Sequence, residues 1–352
     1  MGRADKRKTV VVSAVNLRKG GTLTILRGCL EYLSGKTDQY RVVALVHKRS
    51  LCDYPGIEYI EMPWCVRSWL HRLWAEYVTM HGISRRIAAE DGCKVWMWLS
   101  LHDTTPRVEA EHQEVYCQTS FPFMKFKWHD LLMDYKIPLF TMFTRWAYRI
   151  NVHRNDYLIV QQEWFREAMS RKLHLPYDKF KLIPPEAPLI SQYLEQTKDA
   201  APEGPDRTLF FFASTADCHK NFETLCRAAQ LLENEVGKGR FKVVITVKGD
   251  ENRYARWLYR KWGGVDSIDF HGFMDKVELF STYRKAGTLV FPSRVETWGL
   301  PISEYVASNP EGCVLAADLP YAHETWPGSV FFPATDAAAL KKLMASRLYG
   351  TK

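Results

Sequence analysis

Short apolar runs alternate along this chain with amphipathic stretches, in the βα order that builds parallel sheets covered on both faces. In the first half the runs predict strands over Thr9–Val15, Tyr40–Val46, Val95–Leu101, Glu114–Cys117 and Tyr157–Val160. In the second half they predict Thr208–Ala213, Lys242–Val247, Ile268–Phe270, Gly287–Phe291 and Cys313–Ala317. Between the two sets, L-I-P-P-E-A-P (Leu182–Pro188) runs into a polar stretch that ends in P-E-G-P, which is linker composition. The pattern therefore predicts an α/β protein of two Rossmann-like domains, residues 1–186 and 187–352. A last helix is expected over Asp336–Tyr349, shortly before the chain ends at Lys352.

A length of 352 residues with 46% hydrophobic content is enough to bury two cores. No run of 18 apolar residues occurs, and the charged start M-G-R-A-D-K-R-K passes at once into a strand, so neither a membrane span nor a signal peptide is expected. The eight cysteines contain no C-x-x-C pair, which argues against a zinc site and for reduced thiols in a cytoplasmic protein. Charge is unevenly placed: residues 1–150 hold 22 Lys and Arg against 15 Asp and Glu, a net +7, whereas 151–352 hold 26 against 25, a net +1. The basic half includes the aromatic segment Phe121–Ile150, a mixture suited to an anionic bilayer surface, although aromatic residues at helical spacing also build cores. No nucleic-acid-binding motif accompanies the charge, so nucleic acid is not an expected partner.

Candidate chemistry concentrates in F-P-S-R-V-E-T-W-G-L-P-I-S-E, Phe291–Glu304. A buried strand closing at Pro292-Ser293, a loop, and a helix opened by Pro301 would leave unpaired amides near Gly299 and Leu300, where the macrodipole favours an anion such as a diphosphate. Glu296 in the loop and Glu304 in the first helical turn set two carboxylates beside that anion site, placed to bind sugar hydroxyls. Two other loops lie after predicted strands, where parallel sheets bind ligands. R-K-G-G-T (Arg18–Thr22) puts Gly20 and Gly21 at the opening of a helix, without the G-x-G-x-x-G of a dinucleotide site. S-T-A-D-C-H-K-N (Ser214–Asn221) puts Lys220 just before another helix.

The block from the strand before Pro292 through Glu304 and on to Cys313–Ala317 resembles the retaining glycosyltransferases of family 4, which have the GT-B fold of two Rossmann-like domains facing a central cleft. The resemblance covers about Thr208 to Ala339 well and the first half in outline. It implies that residues 1–186 bind an acceptor and residues 187–352 bind a nucleotide-sugar donor. Glu296 would contact the donor sugar, Glu304 the ribose, and the Gly299-Leu300 backbone the diphosphate, with Trp298, Gly20 and Gly21 also on the donor side. Lys220 would neutralise the diphosphate.

The chain departs from the family pattern in three places. An arginine usual before the lysine is absent, so His219 is expected to substitute in part. Gln118 stands where relatives often place a histidine near the anomeric carbon, and is expected to bond a sugar hydroxyl. The helix that crosses back to the first domain in many GT-B enzymes is expected to be short or missing. His102 and Asp103 are expected to face the acceptor. Retention by front-side attack, in which the leaving phosphate takes the acceptor proton, needs no protein base, and the resemblance implies neither metal nor other cofactor.

The expected function is transfer of a hexose from a UDP- or GDP-sugar to a surface-glycan acceptor, lipid-linked or free, such as a lipopolysaccharide, O-antigen or capsule precursor. The expected location is the cytoplasm or the inner face of the cytoplasmic membrane. The alternative is a non-catalytic nucleotide-sugar-binding subunit of a transferase complex. A GT-B epimerase is disfavoured by the Glu296/Glu304 block.

Overall fold

The β-branched and aromatic runs form thirteen strands among the described residues, which in this computed structural model are 7–125, 127–134, 136–185, 190–200 and 203–350. The first seven are β1 Lys8–Ala14, β2 Tyr40–Val46, β3 Ile57–Glu61, β4 Val95–Ser100, β5 Ala110–Tyr116, β6 Tyr157–Val160 and β7 Phe180–Leu182. They pair in the order β3-β2-β1-β4-β5-β6-β7, all parallel. The remaining six are β8 Asp206–Phe212, β9 Lys242–Ile245, β10 Ile268–Phe270, β11 Ala286–Phe291, β12 Cys313–Ala317 and β13 Val330–Phe332. These form a second parallel sheet, β10-β9-β8-β11-β12-β13.

All ten expected strands are present, with ends shifted by a few residues. The three that hydropathy does not announce, β3, β7 and β13, lie at sheet edges. An edge strand buries less and can be short and charged, as I-E-Y-I-E is in β3. β5 begins four residues earlier than its apolar core suggests, because pairing with β4 holds the polar A-E-H-Q in register.

The chain divides into two compact units, Met1–Thr119 with Phe143–Glu186, and Ser120–Met142 with Ala187–Lys352. The stretch 120–142, which a single cut at 186 assigns to the first domain, thus packs with the second unit. The expected linker also differs: its centre is a helix, Ile190–Gln196, fastened to the second unit. Arg284 donates to Leu194 O at 2.7 Å and to Thr197 Oγ1 at 3.1 Å, and Tyr193 packs on Phe280 with ring centroids 5.2 Å apart. Four of the linker residues, 186–189, and the adjoining 201–202 lie outside the described residues.

In the second unit Phe210, Phe211, Phe212 and Phe291 lie in the sheet core, and the helix Phe222–Val236 covers it with Phe222, Leu225, Cys226, Ala228, Ala229 and Leu232. Each fully buried side chain of that size contributes about 1.5–3 kcal/mol over its exposed state. Gly287 permits the close pairing of β11 on β8: a Cβ there would meet Asp206 O at 2.4 Å. The last helix, Ala337–Tyr349, is capped by Asp336, whose carboxylate accepts from the Ala338 and Ala339 amides at 2.9 Å. No helix among the described residues is long and apolar enough to cross a membrane.

Candidate functional site

In the second unit the chain leaves β8 toward β9 on one side and returns to β11 on the other, so the switch point of the sheet lies between β8 and β11. Crevices at such points, outside the carboxyl ends of the strands, are where parallel sheets bind ligands. The loop after β8 carries Lys220 and the loop after β11 carries Glu296. Lys220 Nζ donates to Glu296 Oε1 at 2.6 Å, with both side chains mostly shielded from solvent.

Local geometry explains how these loops hold their shape. Asn221 sits in the left-handed region at φ 59°, a conformation Asn tolerates better than most residues, and ends the turn Cys218–Lys220. Its Nδ2 donates to Pro292 O at 2.9 Å and Ala334 O at 2.6 Å, which binds the Lys220 loop to the end of β11. Gly299 turns the chain into the helix Leu300–Ser308 at φ 96°, where an L side chain would be strained. No side chain caps this helix end, and Pro301 lacks an N–H, so the end offers the Leu300 amide and the dipole to an anion.

Glu304 lies in the second turn of that helix and not, as expected, in the first. That far from the helix start its charge gains little from the helix dipole, which acts within the first turn. The carboxylate is buried, taking Lys276 Nζ at 2.5 Å on Oε1 and the Tyr283 hydroxyl at 3.3 Å on Oε2. Burial, with the Glu304 charge beside it, pushes the Tyr283 phenol well up, so it remains a donor. Trp298 Nε1 donates to Ser303 Oγ at 3.0 Å, and the Thr325 hydroxyl donates to the Trp298 carbonyl, bracing the turn around Gly299.

His219 does not supply the missing positive charge. Burial first, then Lys220 and Arg294, hold its imidazole well below the ordinary range, so it is neutral near pH 7, packed edge-on against Phe121 at 4.7 Å. The arginine that does reach this loop is Arg294, which composition alone did not single out. Its Nη2 donates to Cys218 O at 3.0 Å and its backbone amide to His219 O at 2.8 Å. Its guanidinium is spent on Asp130, with Nη1–Oδ2 at 2.9 Å and Nη2–Oδ1 at 2.7 Å. No local signal links these two residues, which are 164 positions apart in sequence.

In the first unit Gly20 opens the helix Gly20–Ser34 at φ 64°, with Gly21 next to it, both exposed. His102 is not available to an acceptor, contrary to expectation. It is buried, with ring nitrogens 3.0 Å from Ser13 Oγ, 3.2 Å from Ser100 Oγ and Thr104 Oγ1, and 3.5 Å from the Glu76 carboxylate. Burial, then the Arg72 charge, holds it well below the usual histidine range.

Asp103 serves the loop after β5 instead of facing outward. At φ 68° it accepts from the Gln118 amide at 2.5 Å, the Thr119 amide at 2.8 Å and the Thr119 hydroxyl at 2.7 Å. Burial raises its pKa, and those bonds oppose the rise. Gln118 Nε2 donates to Leu101 O at 2.7 Å, which fixes the amide with its Oε1 inward and unpaired.

Residues 195–346 match the family model described as "Glycosyl transferases group 1". Among solved structures, sucrose-phosphate synthase from Thermosynechococcus elongatus superposes with a TM-score of 0.67 at 16% identity, covering 98% of this chain and 90% of that one. HepE from Anabaena, in complex with UDP and glucose, gives a TM-score of 0.63 at 11% identity over 96% of this chain and 89% of that one. WaaG, a glycosyltransferase involved in lipopolysaccharide biosynthesis, gives 0.62 at 14% identity over 97% and 90%. No curated protein matches the sequence itself. Two parallel α/β units with this likeness give the chain the GT-B fold.

Proposed function

We propose that this chain is a retaining hexosyltransferase that takes its sugar from a UDP- or GDP-linked donor, without a metal, and passes it to a surface-glycan acceptor. The observation that carries the reading is the Lys220–Glu296 pair at the switch point between β8 and β11, beside the uncapped helix end at Gly299. A diphosphate at that helix end would meet the Leu300 amide and the ammonium of Lys220. Glu296 is then left to accept from hydroxyls of the donor sugar, and Glu304, already oriented by Lys276 and Tyr283, from those of the ribose. As the glycosidic bond breaks, negative charge grows on the departing diphosphate, and donors already aimed there are usually the largest catalytic term. Front-side attack lets that phosphate take the acceptor proton, so no protein base is required. That HepE was crystallised with UDP and glucose supports a nucleotide-sugar donor, and the role of WaaG supports a glycan acceptor.

The test is thermal stabilisation of the purified protein by a panel of UDP-, GDP-, ADP- and CMP-sugars, since a ligand of the native state raises its apparent stability. A shift with a UDP- or GDP-sugar, followed by nucleotide release that requires an acceptor, is the expected result. Binding with no release in the presence of any glycan acceptor would instead favour a non-catalytic subunit, and no shift with any sugar would overturn the donor site.

A further inference from the structure

Along the helix Lys136–Arg149 a set of large apolar residues faces solvent. Leu139, Met142, Phe143, Trp146 and, one residue past its end, Ile150 are 43%, 59%, 62%, 67% and 42% exposed. Their spacing of three, four and seven residues places them on one stripe about 100° wide. The opposite face is the inward one: Thr144 and Tyr148 are buried, and the Tyr148 hydroxyl donates to Thr119 O at 3.3 Å. The outer stripe is therefore a second, solvent-facing apolar surface on a helix whose other side is packed inward through Thr144 and Tyr148. The short helix just before it, Trp128–Met133, adds Trp128, which is 80% exposed, and Leu132.

Two observations select the occupant. The apolar stripe includes Trp146 and is preceded in sequence by exposed Lys125 and Lys127, within the half of the sequence that carries +7 of the +8 net charge. An apolar face bordered by basic residues and tryptophan matches the boundary between acyl chains and anionic headgroups. A second exposed run of the same kind occurs in the helix Trp69–Trp74, where Trp69, Leu70, Leu73 and Trp74 all face solvent and the exposed Arg67 precedes them. We propose that the stripe Leu139, Met142, Phe143, Trp146 and Ile150 is a membrane-docking surface that lies in the plane of an anionic bilayer without crossing it. The proposal does not depend on the donor reading, because vesicle binding and nucleotide-sugar binding are measured separately.

The experiment is flotation of the full chain with vesicles of phosphatidylcholine alone and of phosphatidylcholine mixed with phosphatidylglycerol. The chain is expected to float with the mixed vesicles, less with the neutral ones, and less again as salt is raised. The double variant Phe143→Ser, Trp146→Ser should float at least about tenfold less, because two large apolar side chains no longer enter the interface. Both positions are solvated, so the variant should keep the melting temperature and nucleotide-sugar response of the parent. The proposal is overturned if the parent ignores anionic vesicles, or if the variant floats as well as the parent. It is also overturned if the parent is a dimer that the variant dissociates while vesicle binding is absent, which would make a second copy the occupant.

Discussion

Arg294 and Asp130 form a two-pronged ion pair with side chains only 6% and 1% exposed, and the arginine stands two residues before Glu296. The pair fastens the segment 120–142 to the loop that presents Lys220, since the same guanidinium also holds the Cys218 carbonyl. A buried ion pair of this kind adds little net stability over apolar residues of equal size, but it is costly to break from one side.

Asp130→Asn is therefore expected to destabilise the second unit by about 3–5 kcal/mol, because it leaves the arginine charge buried and uncompensated. The double change Asp130→Leu, Arg294→Met should cost much less than Asp130→Asn alone. Urea denaturation of the three proteins checks this; equal losses for the single and double variants would mean that the charge is not what the segment responds to.

Much of this arrangement was legible in the sequence, and the part that was not has a common cause. The strand, loop and helix from Gly287 to Glu304 could be read because each step is local: an apolar run, a glycine at positive φ, a proline in the first helical turn. Lys220 followed from its place before a helix. Arg294–Asp130 could not be read, since only the fold brings those positions together. His102 and Asp103 were misread for the reason that a strand-end position tells which loop a residue is on but not whether it points into the protein. The segment 121–150 showed its mixture of aromatic and basic residues, yet only the backbone reveals that the apolar stripe faces out.

Glu296→Gln should remove transfer while leaving the fold intact, because Gln keeps the size of the side chain but offers a weaker, neutral acceptor to the sugar hydroxyls and to Lys220. A fall of about 10²–10³ in kcat is expected for losing one such preorganised contact. Initial rates and melting curves on the same preparation check it; unchanged turnover would take Glu296 out of the site.

Acid should destabilise the protein through its buried histidines. His102 and His219 are held well below the ordinary histidine value of about 6.5, whereas in the unfolded chain each regains it. The unfolded state therefore binds more protons below that value, and the stability these groups contribute is fully present above about pH 6.5 and lost as pH falls toward their folded values. Denaturation midpoints measured from pH 7.5 down to about 5 should fall with a slope of at most about 1.4 kcal/mol per histidine per pH unit. His219→Gln should flatten the slope, and an unchanged slope would assign the acid sensitivity to other groups.

The demand for positive charge at the diphosphate gives the last prediction. His219 is neutral, Arg294 is paired with Asp130 and Lys276 with Glu304; Lys220 is paired too, but with Glu296 at the switch point, so it and the amide at the Gly299 turn are the groups proposed to meet the leaving group. If these suffice, transfer should proceed at full rate in excess EDTA. Lys220→Ala should then lower kcat by about 10²–10³ with a smaller change in KM, because the lysine matters most as charge develops on the diphosphate. Adding magnesium to the variant should not restore the rate, since a cation in solution is not held where the ammonium was. A strict magnesium requirement in the parent, or full rescue of the variant by magnesium, would show that a metal carries this charge and that Lys220 serves mainly to orient Glu296.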